Sequence, residues 1–120
     1  MKLFLPTIIA ALAAICAADK WENGAACLSN HGKFWQAIQH FCFGNDNSIV
    51  VPSDYASQGK GVDGHRVFIT GNCGPAQWVP QGICLKQFYY MCAHSQNGGS
   101  ALKQYGRDGC QTWHMWPKYL

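Results

Sequence analysis

The sequence predicts an α+β fold in which two antiparallel helices pack on one face of a small antiparallel sheet, stapled by three disulfides. Two segments repeat apolar residues with helical spacing, and short β-branched runs are separated by glycine-rich turns. Six cysteines follow an apolar N-terminal stretch, which is the pattern of a small disulfide-linked domain. Residues 19–120 have the length of one domain, near the size at which a single hydrophobic core is marginal.

Residues 1–18 have the features of a signal peptide. Lys2 precedes an apolar run from Leu3 to Ala18 that closes on a small-x-small sequence, so we expect cleavage before Asp19. The run is too short for a membrane span, and residues 19–120 are predicted to be secreted and extracellular, without integral membrane association. Cys16 leaves with this segment. The six cysteines that remain are Cys27, Cys42, Cys73, Cys84, Cys92 and Cys110.

The first helix is predicted from Ser29 to Cys42, where apolar residues fall on one helical face. Ser29 or Asn30 is available as its N-cap, and Gly44 as its stop. The apolar positions are Phe34, Trp35, Ile38, Phe41 and Cys42.

The second helix is predicted after Pro80, which a first helical turn tolerates. Tyr89 and Tyr90 are adjacent on it and project about 100° apart, so one of them is expected on the surface. The apolar positions repeat as in the first helix, at Cys84, Leu85, Phe88, Met91 and Cys92.

Two strands are predicted between the helices, at Ser48–Pro52 and at His65–Thr70, with the second in the centre of the sheet. Tyr55–Gly64 is rich in Gly, Ser and Asp and predicts an exposed loop.

A C-terminal hairpin is predicted from two β-like runs, Ala101–Tyr105 and Cys110–Met115, around the turn Gly106–Gly109.

Helical spacing restricts the disulfides. Cys84 and Cys92 lie eight residues apart on one helix, roughly 12 Å along its axis, whereas a disulfide needs Cα atoms within about 7 Å. The same argument excludes Cys27 with Cys42 if the first helix has its predicted length. If the helices lie antiparallel, the end of the first meets the start of the second. The favoured pairs are then Cys42–Cys84, Cys27–Cys92 and Cys73–Cys110, and Cys73–Cys84 remains the main competitor.

Composition favours noncovalent recognition. The chain has nine Lys and Arg against six Asp and Glu, and the basic residues do not cluster, so nucleic acid is not an expected partner. Charged residues make up only 12% of the chain, while it holds five Trp, five Tyr and six Phe. A domain of this size cannot bury all of that aromatic surface.

The C-terminal segment from Trp113 to Leu120 is the densest in aromatic residues. Sugar rings present apolar C–H faces that stack on Trp and Tyr, while neighbouring polar groups bind the hydroxyls. The candidate ligand-binding residues are therefore Trp113, Trp116 and Tyr119, with Arg107 and Asp108 from the hairpin turn.

On an alternating strand, Trp113 and Met115 share one face, and Thr112 and His114 share the other. One Trp can then pack inward while the other stays available. The alternative interpretation is that Trp35, Trp78 and Trp113 are core residues or pack against disulfides, and it is favoured for Trp35.

Catalysis and metal binding are not expected, and no cofactor is predicted. Glu22 is the only glutamate, and His40 or His65 with Glu22 and Arg66 could form a ribonuclease-like acid–base site. The five histidines show no i, i+4 or His-x-His spacing.

Several local segments resemble small secreted cysteine-rich proteins of filamentous fungi. They are Gly32-Lys33-Phe34-Trp35-Gln36-Ala37-Ile38 with Phe41-Cys42, Gln77-Trp78-Val79-Pro80 leading to Cys84 and Cys92, Tyr105-Gly106, and Gly109-Cys110-Gln111-Thr112-Trp113. The order of elements is similar to the α/β-sandwich group that includes mushroom glycan-binding proteins, killer-toxin-like proteins and effector candidates of plant-associated fungi. The resemblance implies an extracellular interaction protein, lectin-like or antagonistic toward other cells.

The leading functional expectation is a monomeric secreted protein that binds cell-wall or cell-surface glycan. The alternative is a secreted effector or antimicrobial toxin that acts on a protein or membrane target of another cell. A small secreted hydrolase is the third hypothesis.

Overall fold

The computed structural model describes residues 20–117, which form four helices and two antiparallel sheets. The helices are α1 (20–30), α2 (Gly32–Phe43), α3 (Asp54–Gln58) and α4 (Gln81–Ala93). The strands are β1 (Ile49–Val51), β2 (Lys60–Val62), β3 (His65–Gly71), β4 (Gln77–Val79), β5 (Ala101–Tyr105) and β6 (Gln111–Pro117). Short 3₁₀ turns at Asn97–Gly99 and Arg107–Gly109 lie on either side of β5. The predicted α+β class is confirmed.

The main sheet has four strands in the order β2-β3-β6-β5, and each neighbouring pair is antiparallel. Strands β1 and β4 form a separate two-stranded sheet. Burial alternates along the two central strands, because successive side chains point to opposite faces. The inward side chains are Val67, Ile69, Trp113 and Met115.

Helices α2 and α4 cover the inward face of the main sheet, with α2 against β2 and β3 and α4 against β5 and β6. They run antiparallel, since Cys42 of α2 bonds to Cys84 of α4, and Gln39, one turn earlier, hydrogen-bonds to Tyr89, one turn later. Phe88 of α4 joins the two layers. Its ring centroid lies 5.7 Å from that of Phe41 and 4.6 Å from that of Trp113.

The disulfides are the three that antiparallel helices favour. Cys27–Cys92 joins α1 to the end of α4, and Cys42–Cys84 joins the end of α2 to the start of α4. Cys73–Cys110 ties the β3–β4 connection to the residue before β6. The Cα atoms of the three pairs are 5.2, 5.7 and 5.1 Å apart, within the range that a disulfide spans.

The predicted start of the first helix is wrong. Residues 20–30 form α1, so Ser29 and Asn30 end one helix and do not cap the next. The break falls at His31, with φ −144° and ψ 60°, and its side chain makes no capping hydrogen bond. Helix α1 was missed because its buried face is built from small residues, Gly24 and Cys27, which carry little periodic signal.

The predicted loop at Tyr55–Gly64 is also wrong, because it contains α3 and β2. Ser53 caps α3 by accepting a hydrogen bond from the Ala56 amide at 3.1 Å, and Ala56 is fully buried. The Tyr55 hydroxyl donates to the carbonyl of Phe41 at 2.7 Å. Burial against α2 and pairing with β3 outweigh the weak local propensity of a Gly- and Ser-rich segment.

Strands at Ile49–Val51 and His65–Gly71, helix α4 and the C-terminal hairpin are confirmed. Strand β3 is central, as predicted. Strand β4 was not predicted.

Candidate functional site

The predicted ligand-binding residues do not come together in one site. Trp116 lies near the end of β6, whereas Arg107 and Asp108 precede its start. A strand of that length spans roughly 20 Å at about 3.4 Å per residue. Tyr119 lies outside the described residues.

Trp113 belongs to the core and not to a surface. Its exposed fraction is 0%, and its indole Nε1–H donates to Gln111 Oε1 at 2.8 Å. The Tyr105 ring packs edge-on against it at 5.1 Å. Because Trp113 points to the helices, its ring faces are not available to a ligand. The core interpretation therefore applies to Trp113.

Trp116 points to the opposite side of the main sheet and is 58% exposed. Strand pairing places Trp116 beside Arg66, and His114 between Phe68 and Leu102. These five residues form what we call the outer sheet face, which α2 and α4 leave open. Leu102 is 67% exposed, so the face carries two large apolar side chains in solvent.

Phe68 holds the outer sheet face together. The His114 ring stacks on it with centroids 4.2 Å apart, and the guanidinium carbon of Arg66 lies 3.9 Å from the same centroid. Two groups this close to one centroid must occupy opposite faces of the ring. Phe68 is therefore enclosed by a cation and an aromatic ring and keeps only 7% of its surface exposed.

Polar contacts fix both outer members of this stack. Arg66 Nε donates to the carbonyl of Gln58 at 2.9 Å, and Arg66 Nη2 donates to the carbonyl of Ser57 at 2.8 Å. His114 Nε2 lies 2.9 Å from the hydroxyl of Thr70. Burial lowers the pKa of His114, and the positive charge of Arg66 lowers it further. The side chains beside Trp116 are thus held in one arrangement before any ligand binds.

Trp116 lines two clefts. One, of about 480 Å³, is lined by Trp116 together with His65 and Arg66. The other, of about 920 Å³, is lined by Trp116 and Leu102 and by polar side chains of the segment after α4. These polar residues are Ser95, Gln96 and Ser100. An apolar ligand face can lie on the indole while groups on either side reach hydrogen-bonding partners.

The sequence predicts Trp116 as a binding residue and Arg66 only as part of a catalytic arrangement, and it gives no binding role to Phe68, His114 or Leu102. The available signal was the period-2 alternation of β3 and β6. Alternation places Arg66 and Phe68 on one face of β3, and His114 and Trp116 on one face of β6. Only the register between the two strands shows that these faces lie on the same side of the sheet.

Neither of the two histidines considered for catalysis has a carboxylate partner within residues 20–117. His65 packs edge-on against Phe34 at 5.0 Å, and its Nδ1 lies 2.9 Å from the carbonyl oxygen of Asp63. Within residues 20–117, neither His40 nor His65 hydrogen-bonds to a carboxylate, and no three His, Cys, Asp or Glu side chains gather as metal ligands would.

Trp78 is not the core residue that one interpretation made it, since 55% of its surface is exposed. Its Nε1–H donates to the carbonyl of Asn47 at 2.8 Å, which holds the ring at the surface. Arg107 lines the same cleft as Trp78, and the backbone amide of Arg107 donates to Gln77 Oε1 at 3.1 Å. Asp108 is exposed in the same turn.

No helix within the described range has both the length and the hydrophobicity to cross a membrane. Comparison of the chain with protein-family models, with curated proteins and with solved structures returned no match.

Proposed function

We propose that this chain is a secreted protein that binds cell-wall or cell-surface carbohydrate noncovalently, with Trp116 as the stacking platform. The observation that carries the proposal is the position of Trp116, which is 58% exposed and lines two clefts that hold polar side chains. Its exposure has no structural benefit, because an indole in water forgoes the stabilisation that burial supplies.

The neighbours of Trp116 match the needs of a sugar. A pyranose has an apolar C–H face and a rim of hydroxyls that both donate and accept hydrogen bonds. The indole supports the first, and the hydroxyls and amide of Ser95, Gln96 and Ser100 can bind the second. Arg66 is already oriented by its contacts with α3, so little side-chain entropy is lost when a ligand binds beside it.

Secretion is proposed on two grounds. Three disulfides are typical of proteins that fold in an oxidising compartment, and the N-terminal segment has the composition of a signal peptide.

The test is binding of oxidised residues 19–120 to insoluble chitin, to β-glucan and to a glycan array. We expect Trp116→Ala to weaken binding at least about tenfold, which corresponds to about 1.4 kcal/mol. Trp21→Ala is the matched control, since Trp21 is 73% exposed on α1, outside the outer sheet face. Absence of binding to every glycan by the folded protein would contradict the proposal.

A second candidate function is binding to a protein of another cell through the same surface. Trp and Arg are enriched at the centres of protein interfaces, and Trp116 and Arg66 are neighbours beside the exposed Leu102. This function predicts growth inhibition or host-cell effects that Trp116→Ala removes and that free sugars do not compete.

A further inference from the structure

A further cleft, of about 500 Å³, lies at the other end of β6 from the two clefts beside Trp116. It is bounded by β4, the start of α4 and the turn at Arg107–Gly109. We call it the Trp78 cleft. The lining residues that matter here are Gln77, Trp78, Ile83, Gln87, Arg107 and Gln111.

Trp78 is anchored at its polar edge and open elsewhere. The backbone carbonyl of Asn47 accepts a hydrogen bond from the indole N–H of Trp78. The side-chain Oδ1 of Asn47 accepts a second one from the backbone amide of Gln81 at 2.7 Å. One residue therefore secures both the ring and the start of α4. With Ile83 41% exposed nearby, the cleft has an apolar wall whose orientation is set before binding.

The floor of the cleft is a hydrogen-bonded chain that starts in the core. Gln111 binds the Trp113 indole through its oxygen and donates its amide to Gln77 Oε1 at 3.1 Å. Arg107 donates its backbone amide to the same oxygen. Both lone pairs of Gln77 Oε1 are thus used, whereas its Nε2 makes no hydrogen bond to the described residues.

Gln87 contributes an acceptor without a partner. Its Oε1 is buried and forms no hydrogen bond within residues 20–117. A buried carbonyl oxygen left unpaired is costly, and native structures rarely keep one without water or ligand. The Trp78 cleft therefore offers an amide donor on Gln77 without a partner among the described residues and an exposed indole beside Ile83. Gln87, whose Oε1 is covered and unpaired, lies at the border between this cleft and another beside Tyr90.

We infer that the Trp78 cleft is a second carbohydrate site, which takes a neutral pyranose unit. A hydroxyl both donates and accepts, so one sugar hydroxyl can accept from Gln77 Nε2, and rotation of the Gln87 side chain can bring its unpaired Oε1 within reach of a neighbouring hydroxyl. None of the described residues that line the cleft is acidic, and Arg107 is its one cation. The volume falls within the range of about 300–1,000 Å³ that small-molecule sites occupy. The inference rests on the proposed function for the ligand class.

Two sites at opposite ends of β6 make the chain bivalent. A protein of this kind bridges neighbouring polysaccharide chains, and its apparent affinity for an insoluble glycan exceeds its affinity for a short oligosaccharide.

The test is a titration of ¹⁵N-labelled residues 19–120 with chitotriose, laminaritriose and mannotriose, followed by NMR. The indole signals of Trp78 and Trp116 and the side-chain amide signals of Gln77 and Gln87 report the two sites separately. We expect a saturable shift at the Trp78 cleft with at least one trisaccharide. Trp78→Ala should abolish the Gln77 and Gln87 shifts without changing those of Trp116.

If Trp78→Ala does not fold, Gln87→Met provides a second test. It removes the unpaired acceptor at similar volume, so stability should be unchanged or higher while affinity at the Trp78 cleft falls at least fivefold. A purely structural Gln87 would give the opposite pattern.

The outcomes separate the two proposals. Shifts confined to Trp116 overturn the second site and leave the proposed function standing. Shifts confined to the Trp78 cleft support the second site and contradict the role of Trp116. No shift at either site with any trisaccharide overturns the second site, and the proposed function is then decided by binding to insoluble chitin, β-glucan and the glycan array.

Discussion

The imidazole of His114 stacks on the ring of Phe68, with centroids 4.2 Å apart and an angle of 4° between the planes. With Arg66 on the other side of Phe68, a neutral imidazole is favoured at this position, because a charged one would be partly desolvated and would face a guanidinium. The outer sheet face is therefore a rigid surface whose charge depends on pH.

The first prediction concerns acid stability. Burial and Arg66 lower the pKa of His114 in the folded state, whereas the unfolded chain binds a proton near pH 6.5. Between these two pKa values the unfolded state carries more protons, so stability rises with pH. The stabilisation is complete above about pH 6.5 and is lost as pH falls through the folded pKa.

Urea unfolding measured between pH 7.5 and 5 checks this prediction. As pH is lowered, the free energy of unfolding of the unchanged protein should decrease more steeply than that of His114→Gln. His94→Gln, at an exposed histidine, is the matched control. If the pH profiles of the unchanged protein and of His114→Gln run parallel, or if the profile of His114→Gln is the steeper, the assignment to His114 is wrong.

The second prediction concerns the disulfides. Cys27 and Cys92 are fully buried and close a separation of 65 residues, whereas Cys73 is 7% exposed and bonds to Cys110 across 37 residues. Loop-closure entropy gives about 4 kcal/mol for either bond, slightly more for the longer loop. Removing the buried pair also leaves a cavity between α1 and α4.

Guanidinium unfolding of the two double alanine variants gives the comparison. Cys27→Ala with Cys92→Ala should lose more stability than Cys73→Ala with Cys110→Ala. The reverse order would show that the link between the β3–β4 connection and the residue before β6 matters more to the fold than the link between α1 and α4.

The third prediction concerns Gly106, whose φ is +81°. A Cβ at this position would lie 2.6 Å from Gln77 Oε1, the atom that accepts from the Arg107 amide. Gly106→Ala should therefore cost about 1–3 kcal/mol of stability. It should also shift the Gln77 side-chain amide signal.

Gly82→Ala provides the control. Gly82 is in the first turn of α4, and a methyl group added there would meet no atom within 4 Å outside its own helix, so alanine should stabilise by about 0.5–1 kcal/mol. Thermal unfolding of both variants measures the difference. Equal effects of the two substitutions would contradict the role of Gly106.

Much of the fold follows from periodicity. The apolar spacing in Phe34–Cys42 and Cys84–Cys92 is strong enough to specify α2 and α4, and their length sets which cysteines cannot pair. By contrast, β2 and β4 are three residues long, and each becomes a strand only by pairing with its partner. Strand β1 is equally short, but it is a run of β-branched residues, whereas β2 and β4 lack such a run and carry no clear signal.

The candidate sites, like the fold, follow only in part from the sequence. Aromatic density selected Trp113, Trp116 and Tyr119 together, and strand alternation allowed one of Trp113 and Trp116 to point outward. Which one does so depended on the face that α2 and α4 cover. Trp78 could not be placed from the sequence, because its exposure depends on a hydrogen bond to Asn47, 31 residues away.

The sequence by itself determined the α+β class, the two long helices, the central strand and hairpin, and the surplus of aromatic side chains. Tertiary structure decided which of those side chains remain in solvent, that Arg66, Phe68 and His114 stack, and that Gln77 and Gln87 share a cleft. The physical reason is distance along the chain. Helical and strand periodicity arise from neighbouring residues, whereas each surface site is assembled by register and packing between segments that are far apart in sequence.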